Sequence, residues 1–382
     1  MIFDTLLQLL FWISVFIIFW ANFGYFIFLK LLSSVYSHKV DKNDFSENVS
    51  IVITAYNEET RIREKLENTL ALDFPRERLE IIVVSDASTD GTNDIVREYA
   101  DHGVRLLVMP ERHGKHYGQG KGIAAASNEI IVLSDATTFL EPGAVTKITS
   151  NFSDPTIGCV SGQDKVATVE GKSQGEGAYV RYEMALRELE SKVGSLVGVS
   201  GSFFATRKSL CNEWLDNMSS DFYLPVIAAM RGYRSISEPE AVGIYRVLHD
   251  PHKEFTRKVR TIVHGLEVLF YFKASLNPFK YGLFSLQFFS HKLSRWLVPF
   301  CMILIFTVNY LLVDLSFFYS LTMALQILFY ILVTSSFVIP KLQENQLFRL
   351  SGFFAMVNYS ILIAWYKFWT KQEYVVWDAT KR

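Results

Sequence analysis

The chain has 382 residues, 50% of them hydrophobic and 15% aromatic, with a net charge of −1 at pH 7. So balanced a charge gives no basic field for phosphodiester chains and excludes nucleic acid as a partner. Cys159, Cys211 and Cys301 are scattered without metal or redox spacing and read as reduced core thiols.

Residues 6–32 read LLQLLFWISVFIIFWANFGYFIFLKLL, with no charge before Lys30. About 20 apolar residues cross a bilayer core, so this stretch predicts a retained transmembrane helix, with residues 1–45 as helix plus linker. A cleaved signal fits poorly: Asp4 makes the leading region acidic, the apolar run is too long, and no small-x-small site follows.

From 46 to 245 the texture changes. Short β-branched runs, Val49–Thr54, Leu79–Val84, Val104–Met109 and Ile130–Leu133, predict strands. Polar stretches at Glu58–Leu72 and Thr92–Tyr99 predict helices between them. The alternation predicts an α/β domain with a mainly parallel sheet, and about 200 residues suffice for one core. Sheets of this kind bind ligands beyond the carboxyl ends of their strands. Those ends carry Ala55-Tyr56-Asn57-Glu58, Ser85-Asp86 through Asp90, Arg112-His113-Gly114-Lys115 and Ser134-Asp135-Ala136-Thr137, whereas the opposite ends are plain.

Each group has its own chemistry. Asp86 is placed to accept a hydrogen bond in the crevice, while Asp90 and Thr92 read as helix caps with Gly91 easing the turn. Arg112 to Lys115 is a basic, glycine-bearing loop suited to a diphosphate. Neither it nor Gly120-Lys121-Gly122 has the GxxxxGK[ST] spacing of a nucleotide triphosphatase. Asp135 stands where such domains hold a metal or a ligand hydroxyl, but the acidic partner two positions on is replaced by Thr137. Gly201-Ser202 allows close backbone approach to a substrate. Asp221, after Ser219-Ser220, opens a helix either as its cap or as a catalytic carboxylate.

Arg257 and Arg260 share a helix face, within reach of a lipid phosphate or a leaving diphosphate. Residues 246–295 predict basic and amphipathic helices. In them Phe279, Leu283, Leu286, Phe289 and Leu293 recur at helical steps, a pattern for the membrane interface. Residues 296–315 and 317–339 predict two further spans and 352–369 a weaker third, so 296–370 holds two or three, followed by a tail at 371–382. Lys30, Lys39 and Lys42 follow the first span and no basic residue precedes it, which predicts a cytoplasmic central domain. For the tail, the span count and its own Lys367, Lys371, Lys381 and Arg382 point to opposite sides.

Ile51-Val-Ile-Thr-Ala-Tyr-Asn-Glu-Glu59, Val83-Val-Ser-Asp-Ala-Ser-Thr-Asp-Gly91, Arg112-His-Gly-Lys115, Ile131-Val-Leu-Ser-Asp-Ala-Thr137, Val199-Ser-Gly-Ser202 with Arg207, and Ser220-Asp221 occur in order. Phe255–Arg260, His291–Trp296 and Trp377–Arg382 extend the set. The chain resembles the membrane-bound family 2 glycosyltransferases of GT-A fold, which include cellulose, hyaluronan and poly-N-acetylglucosamine synthases.

The resemblance implies a nucleotide-diphosphate sugar donor, usually UDP-linked, inversion at the anomeric carbon, and a lipid-linked or membrane-proximal glycan acceptor. It implies a bacterial-type inner membrane, with membrane lipid as a further partner. Ala55, Tyr56 and Glu58 would frame the nucleotide, Asp86 its base, and Lys115 the diphosphate or base. Asp135 would be the first aspartate of a DxD-like motif holding Mn²⁺ or Mg²⁺. Asp221 would be the general base. Gly201, Ser202, Arg257 and Arg260 would lie on the diphosphate and acceptor side. Two departures stand out: Thr137 replaces the usual metal carboxylate, and Lys258, Val259 and Thr261 break the QxxRW pattern. Alternatives are a processive synthase that exports its polymer, against which the few carboxyl-terminal spans argue, and a degenerate scaffold, against which intact Asp86, Asp135 and Asp221 argue.

Overall fold

The computed structural model describes residues 2–43, 47–167, 175–246 and 251–371. Its core is an eight-stranded sheet of β1 (Val49–Ala55), β2 (Leu79–Ser85), β3 (Val104–Val108), β4 (Ile130–Asp135), β5 (Thr138–Leu140), β6 (Ile157–Ala167), β7 (Phe203–Arg207) and β8 (Arg234–Arg246). The spatial order is β3-β2-β1-β4-β7-β6-β8-β5. The runs legible in sequence form the parallel block β3-β2-β1-β4. The Val and Ile side chains of β1, β2 and β4 are buried on both faces, as a sheet covered by helices requires.

Beyond β4 the expected parallel order changes. β7 joins β4 antiparallel and β6 joins β7 antiparallel, while β8 runs parallel to β6 and antiparallel to β5. The sheet is therefore mixed. The reversal at β7 brings the preceding loop to the carboxyl end of β4, where Asp135 N donates to Ser202 O at 3.0 Å.

The helices are α1 (Ile2–Phe19), α2 (Tyr25–Val35), α3 (Ile62–Leu70), α4 (Thr92–Arg97), α5 (Lys115–Ala125), α6 (Ala144–Thr149), α7 (Gly175–Val193), α8 (Ser220–Met230), α9 (Pro251–Tyr271), α10 (Pro278–Tyr281), α11 (Leu283–Phe288), α12 (Ser294–Leu312), α13 (Phe317–Val338) and α14 (Gln346–Trp369). The first helix after β1 begins at Ile62, four residues later than its composition predicts. Asn57 turns left-handed at φ 52°, and the amides of Glu58 and Glu59 bind Thr92 Oγ1 and Asp90 Oδ2 instead of starting a helix.

Ile2–Val35, Leu283–Leu312, Phe317–Val338 and Gln346–Trp369 are long and apolar enough to cross a membrane. A π turn at Phe289–Leu293 joins α11 to α12 without a break, so this apolar helix starts before Trp296. Gly282, at φ 54°, separates it from α10. The stripe expected at the interface splits accordingly: Phe279 is 99% exposed, while the face buried against the protein carries Phe284, Gln287, Phe288 and His291.

Two features fix the carboxyl edge of the sheet. α5 holds Gly118, Gly120 and Gly122, poor helix formers at roughly 1 kcal/mol each against alanine. Close packing compensates, because a Cβ at Gly122 would lie 2.4 Å from Val52 Cγ1. Lys65, on α3, is wholly buried; its Nζ donates to Ser134 Oγ at 2.8 Å and Thr138 O at 2.5 Å, clamping both sides of the Asp135–Thr137 turn. Burial lowers its pKa to about 7, opposed by the charge of Asp135.

Gly122→Ala is expected to cost about 1–3 kcal/mol by overpacking α5 on β1. An unchanged unfolding midpoint in detergent would contradict that packing. For Lys65 the unfolded amine titrates near 10.4, so between about pH 7 and that value the unfolded state binds the extra proton. Stability therefore rises with pH across this window and is flat below it. Thermal unfolding against pH should show that rise, and Lys65→Met should abolish it.

Candidate active site

The carboxyl ends of β1, β2 and β4 open onto one cleft. Three left-handed residues shape its rim: Asn57 after β1, Ala87 after β2 at φ 56°, and Gly114 before α5 at φ 93°. Non-glycine residues in this region cost on the order of 1–3 kcal/mol and cluster at ligand sites. Asn57 Oδ1 accepts from Thr89 N at 2.8 Å, which ties the first two strand ends together.

Ala55 lies buried at the end of β1, its carbonyl accepting from Asp86 N at 2.9 Å. The Tyr56 ring carries the Arg112 guanidinium 3.8 Å from its centroid. Glu58 is buried beside Arg61, at 3.4 Å. Asp86 organises the neighbouring loop: its Oδ1 accepts from His113 N at 2.9 Å and its Oδ2 from Gly114 N at 2.8 Å. Asp86 itself is buried, and each oxygen keeps a second acceptor position.

Lys115 opens α5 and bridges two strands. Its Nζ lies 2.5 Å from Asp135 Oδ1 and donates to Gly201 O at 2.7 Å. The Asp135 side chain keeps 31% exposure on the cleft side, but protein crowds it elsewhere. That desolvation raises its pKa; Lys115 opposes the shift and Asp221 adds to it. Thr137 stands two residues on, half-buried. Ser202 donates to Asp164 Oδ1 at 2.5 Å, as Ser200 does at 2.7 Å, so a carboxylate from the end of β6 sets the 200–202 loop.

Asp221 sits in the first turn of α8, its Oδ1 accepting from Ser219 Oγ at 2.6 Å. A Cβ at Gly201 would lie 3.1 Å from Asp221 Oδ2, so the bare backbone there admits the carboxylate. The structure thus brings Lys115, Asp135, Gly201, Ser202 and Asp221 around one opening. Arg257 and Arg260 lie on α9, with His264 four residues beyond Arg260 on the same face. The His264 ring comes 6.3 Å from that of His116.

Sequence reasoning passed over Lys65, His116, Asp164 and His264. His116 follows Lys115 and packs under Ser220, with Nδ1 3.4 Å from Ser220 N. Burial drives its pKa down to about 4, against the pull of Asp221, and Lys115 and His264 push it the same way as burial. It is a neutral imidazole at pH 7. Its place directly after the glycine-lysine loop was the one available signal. Asp164 and His264 lie outside any motif.

A divalent cation can be tested against this donor set. Among the described residues no group of three His, Cys, Asp or Glu side chains is arranged to hold a metal ion. Asp135 is the single carboxylate of its turn, with the neutral Thr137 hydroxyl as neighbour. That set fits a hard cation only where phosphate oxygens and water complete the shell, a common arrangement for Mg²⁺.

Residues 50–215 match the family model for glycosyl transferase family 2. The poly-beta-1,6-N-acetyl-D-glucosamine synthase of Staphylococcus aureus (strain COL) is 27% identical over 275 residues, covering 69% of this chain and 66% of the relative. The synthase of the same name from Staphylococcus epidermidis is 26% identical over 252 residues, covering 63% and 60%. The chain therefore spans just under two thirds of these relatives' length. Among solved structures, a mannosyltransferase, PcManGT from Pyrobaculum calidifontis, in complex with GDP-Man and Mn²⁺, superposes with a TM-score of 0.72 at 22% identity, covering 96% of this chain and all of that one. Over residues 50–215, then, this membrane-type chain carries a glycosyl transferase family 2 domain of GT-A fold.

Proposed function

We propose that the protein is an inverting glycosyltransferase, moving a sugar from a nucleotide-diphosphate sugar, UDP-linked by preference, to a lipid-linked or membrane-proximal glycan at the cytoplasmic face of a bacterial inner membrane. One observation carries the reading: Asp221 and the Asp135–Lys115 pair face each other across the 200–202 loop, close enough for the two acids to interact. This arrangement supports Asp221 as the proton acceptor and Lys115 as the cation for the donor phosphates, on opposite sides of one opening.

In this reading Tyr56, Arg112 and Glu58 frame the nucleotide beside Asp86. The acceptor hydroxyl attacks the anomeric carbon, its oxygen forming the new glycosidic bond as its proton passes to Asp221. The old bond to the diphosphate breaks, and the nucleotide leaves with the electron pair. General base action of this kind contributes roughly a hundred- to ten-thousand-fold. Lys115, with Arg257 and Arg260 on α9, offsets the charge on the leaving diphosphate. A Mn²⁺ or Mg²⁺ ion held by Asp135 and the donor phosphates would supply further neutralisation. Neutral His116 keeps a second positive charge away from Asp221, which leaves the carboxylate free to take a proton.

The Staphylococcus relatives bear the name of a polymer synthase. That favours a second reading in which the product is a polysaccharide, and product length on a gel separates the two.

With membrane fractions and a panel of UDP-sugars, Asp221→Asn should lower nucleotide release at least about a hundredfold. Release at the wild-type rate would remove Asp221 as base, and no release from any nucleotide sugar by folded wild type would overturn the transferase reading. Thr137→Asp should tighten Mn²⁺ binding, read by electron paramagnetic resonance without donor, by about tenfold through one added carboxylate. Unchanged binding would place any cation away from this turn.

A further inference from the structure

α7 packs between the first apolar helix and the α11–α12 helix, and the junction is polar. Glu190 Oε1 accepts from Tyr25 OH at 2.7 Å and lies 2.9 Å from His291 Nδ1. Glu183 lies 3.3 Å from His291 Nε2 and forms an ion pair with Arg295. Two cations of the cluster are left over. Lys292 lies within electrostatic range of Glu183, Arg187, Arg295 and Glu190, yet among the described residues its ammonium has only an aromatic neighbour. Arg187 Nη1 is closed off from solvent with no acceptor. Glu190 Oε2 is buried and unpartnered too, so the arginine does not reach it.

Arg187, Lys292 and Arg295 face Glu183 and Glu190, three basic side chains against two acidic ones. A buried donor without a partner and two like charges side by side are both unfavourable, and an anion between them relieves both. The location is telling. Lys292 Nζ lies 5.1 Å from the ring centroid of Phe222, the residue after Asp221. It is also 3.8 Å from where a Cβ on Gly198 would sit, so the absent side chain leaves room beside it. The loop from Gly198 continues to Gly201 against Asp221, and Lys292 itself belongs to the apolar helix Leu283–Leu312.

An arginine fork with a lysine point charge suits phosphate. We propose that Lys292 and Arg187 bind the phosphate of a membrane-borne lipid on the membrane side of Asp221. Naming that lipid as the glycosyl acceptor rests on the transferase reading; the anion site itself does not.

The full chain in neutral detergent is titrated calorimetrically with short-chain phosphatidic acid, phosphatidylcholine of the same chain length, and inorganic phosphate. Wild type should bind phosphatidic acid in preference to both. Lys292→Met and Arg187→Met should each weaken it about tenfold, the loss of one charge-assisted bond. Lys292→Arg should retain binding. Arg187→Lys, which keeps the charge without the fork, should lose less than Arg187→Met and serves if the methionine variant does not fold. Binding unaffected by these substitutions, or phosphatidylcholine bound equally well, would overturn the site. Inorganic phosphate bound as tightly as phosphatidic acid would overturn its lipid assignment. A chain that binds phosphatidic acid through these residues but releases no nucleotide refutes the transferase reading alone; one that releases nucleotide without such binding refutes only the lipid site.

Discussion

One ammonium group holds the cleft together. Lys115 Nζ contacts Asp135 at the end of β4 and the Gly201 carbonyl on the loop before β7, joining two segments that run in opposite directions. Without it, Asp135 and Asp221 would repel one another across a partly desolvated space. Its position comes from tertiary packing rather than from helix propensity. α5 is glycine-rich and would be a weak helix in isolation, but those glycines let it lie flat on β1 and β2. Asp86 fixes the preceding turn through two backbone amides. Sheet, helix and loop thus converge on one charge.

The parallel block was legible because its strands are local runs of β-branched residues, each ending in polar chemistry. Asp135 and Lys115 could be singled out for the same reason, Gly201 as a glycine that admits a close approach and Asp221 as a carboxylate opening a helix. Their partnership could not, because it depends on β7 entering the sheet antiparallel, and Phe203–Arg207 gives no sign of direction. Lys65 was illegible for a different reason: a lysine on an amphipathic helix ordinarily faces water, and only the fold shows this one pointing inward. The late start of α3 follows from backbone geometry at Asn57, where the turn competes with a helix that composition favours. Arg257 and Arg260 were readable as a shared face, but that the face includes His264 and approaches His116 is a tertiary fact.

The membrane helices join the domain through polar contacts rather than apolar surface alone. Trp20 donates to Ser290 Oγ at 2.9 Å and Trp365 to Trp296 O at 3.0 Å, both linking apolar helices to one another. Tyr25 and His291 reach Glu190 on α7, which belongs to the domain. Directional bonds of this kind fix orientation where packing against lipid does not. Phe222 is part of the same arrangement, with its ring among Phe288, Trp296 and Lys292 and its backbone beside Asp221. A shift of the α11–α12 helix would therefore be felt at the acidic residue facing the cleft.

Charge balance gives Thr137 a physical reading. In the cleft Lys115 faces Asp135 and Asp221, and Lys65, with its pKa near 7, is only partly charged at neutral pH. A second carboxylate at 137 would leave the open cleft short of positive charge at a point where burial already disfavours an ionised acid. With threonine there, one lysine nearly suffices. In the proposed reaction an entering diphosphate would offer Lys115 a more highly charged partner than Asp135, and the released carboxylate would then need a new counter-charge. Asp135 would be free to hold a divalent cation bound to the donor phosphates, which would supply that counter-charge. On the proposed reading, Thr137 in place of an aspartate would leave a cation to be held chiefly by Asp135 and the donor phosphates rather than in advance of the donor.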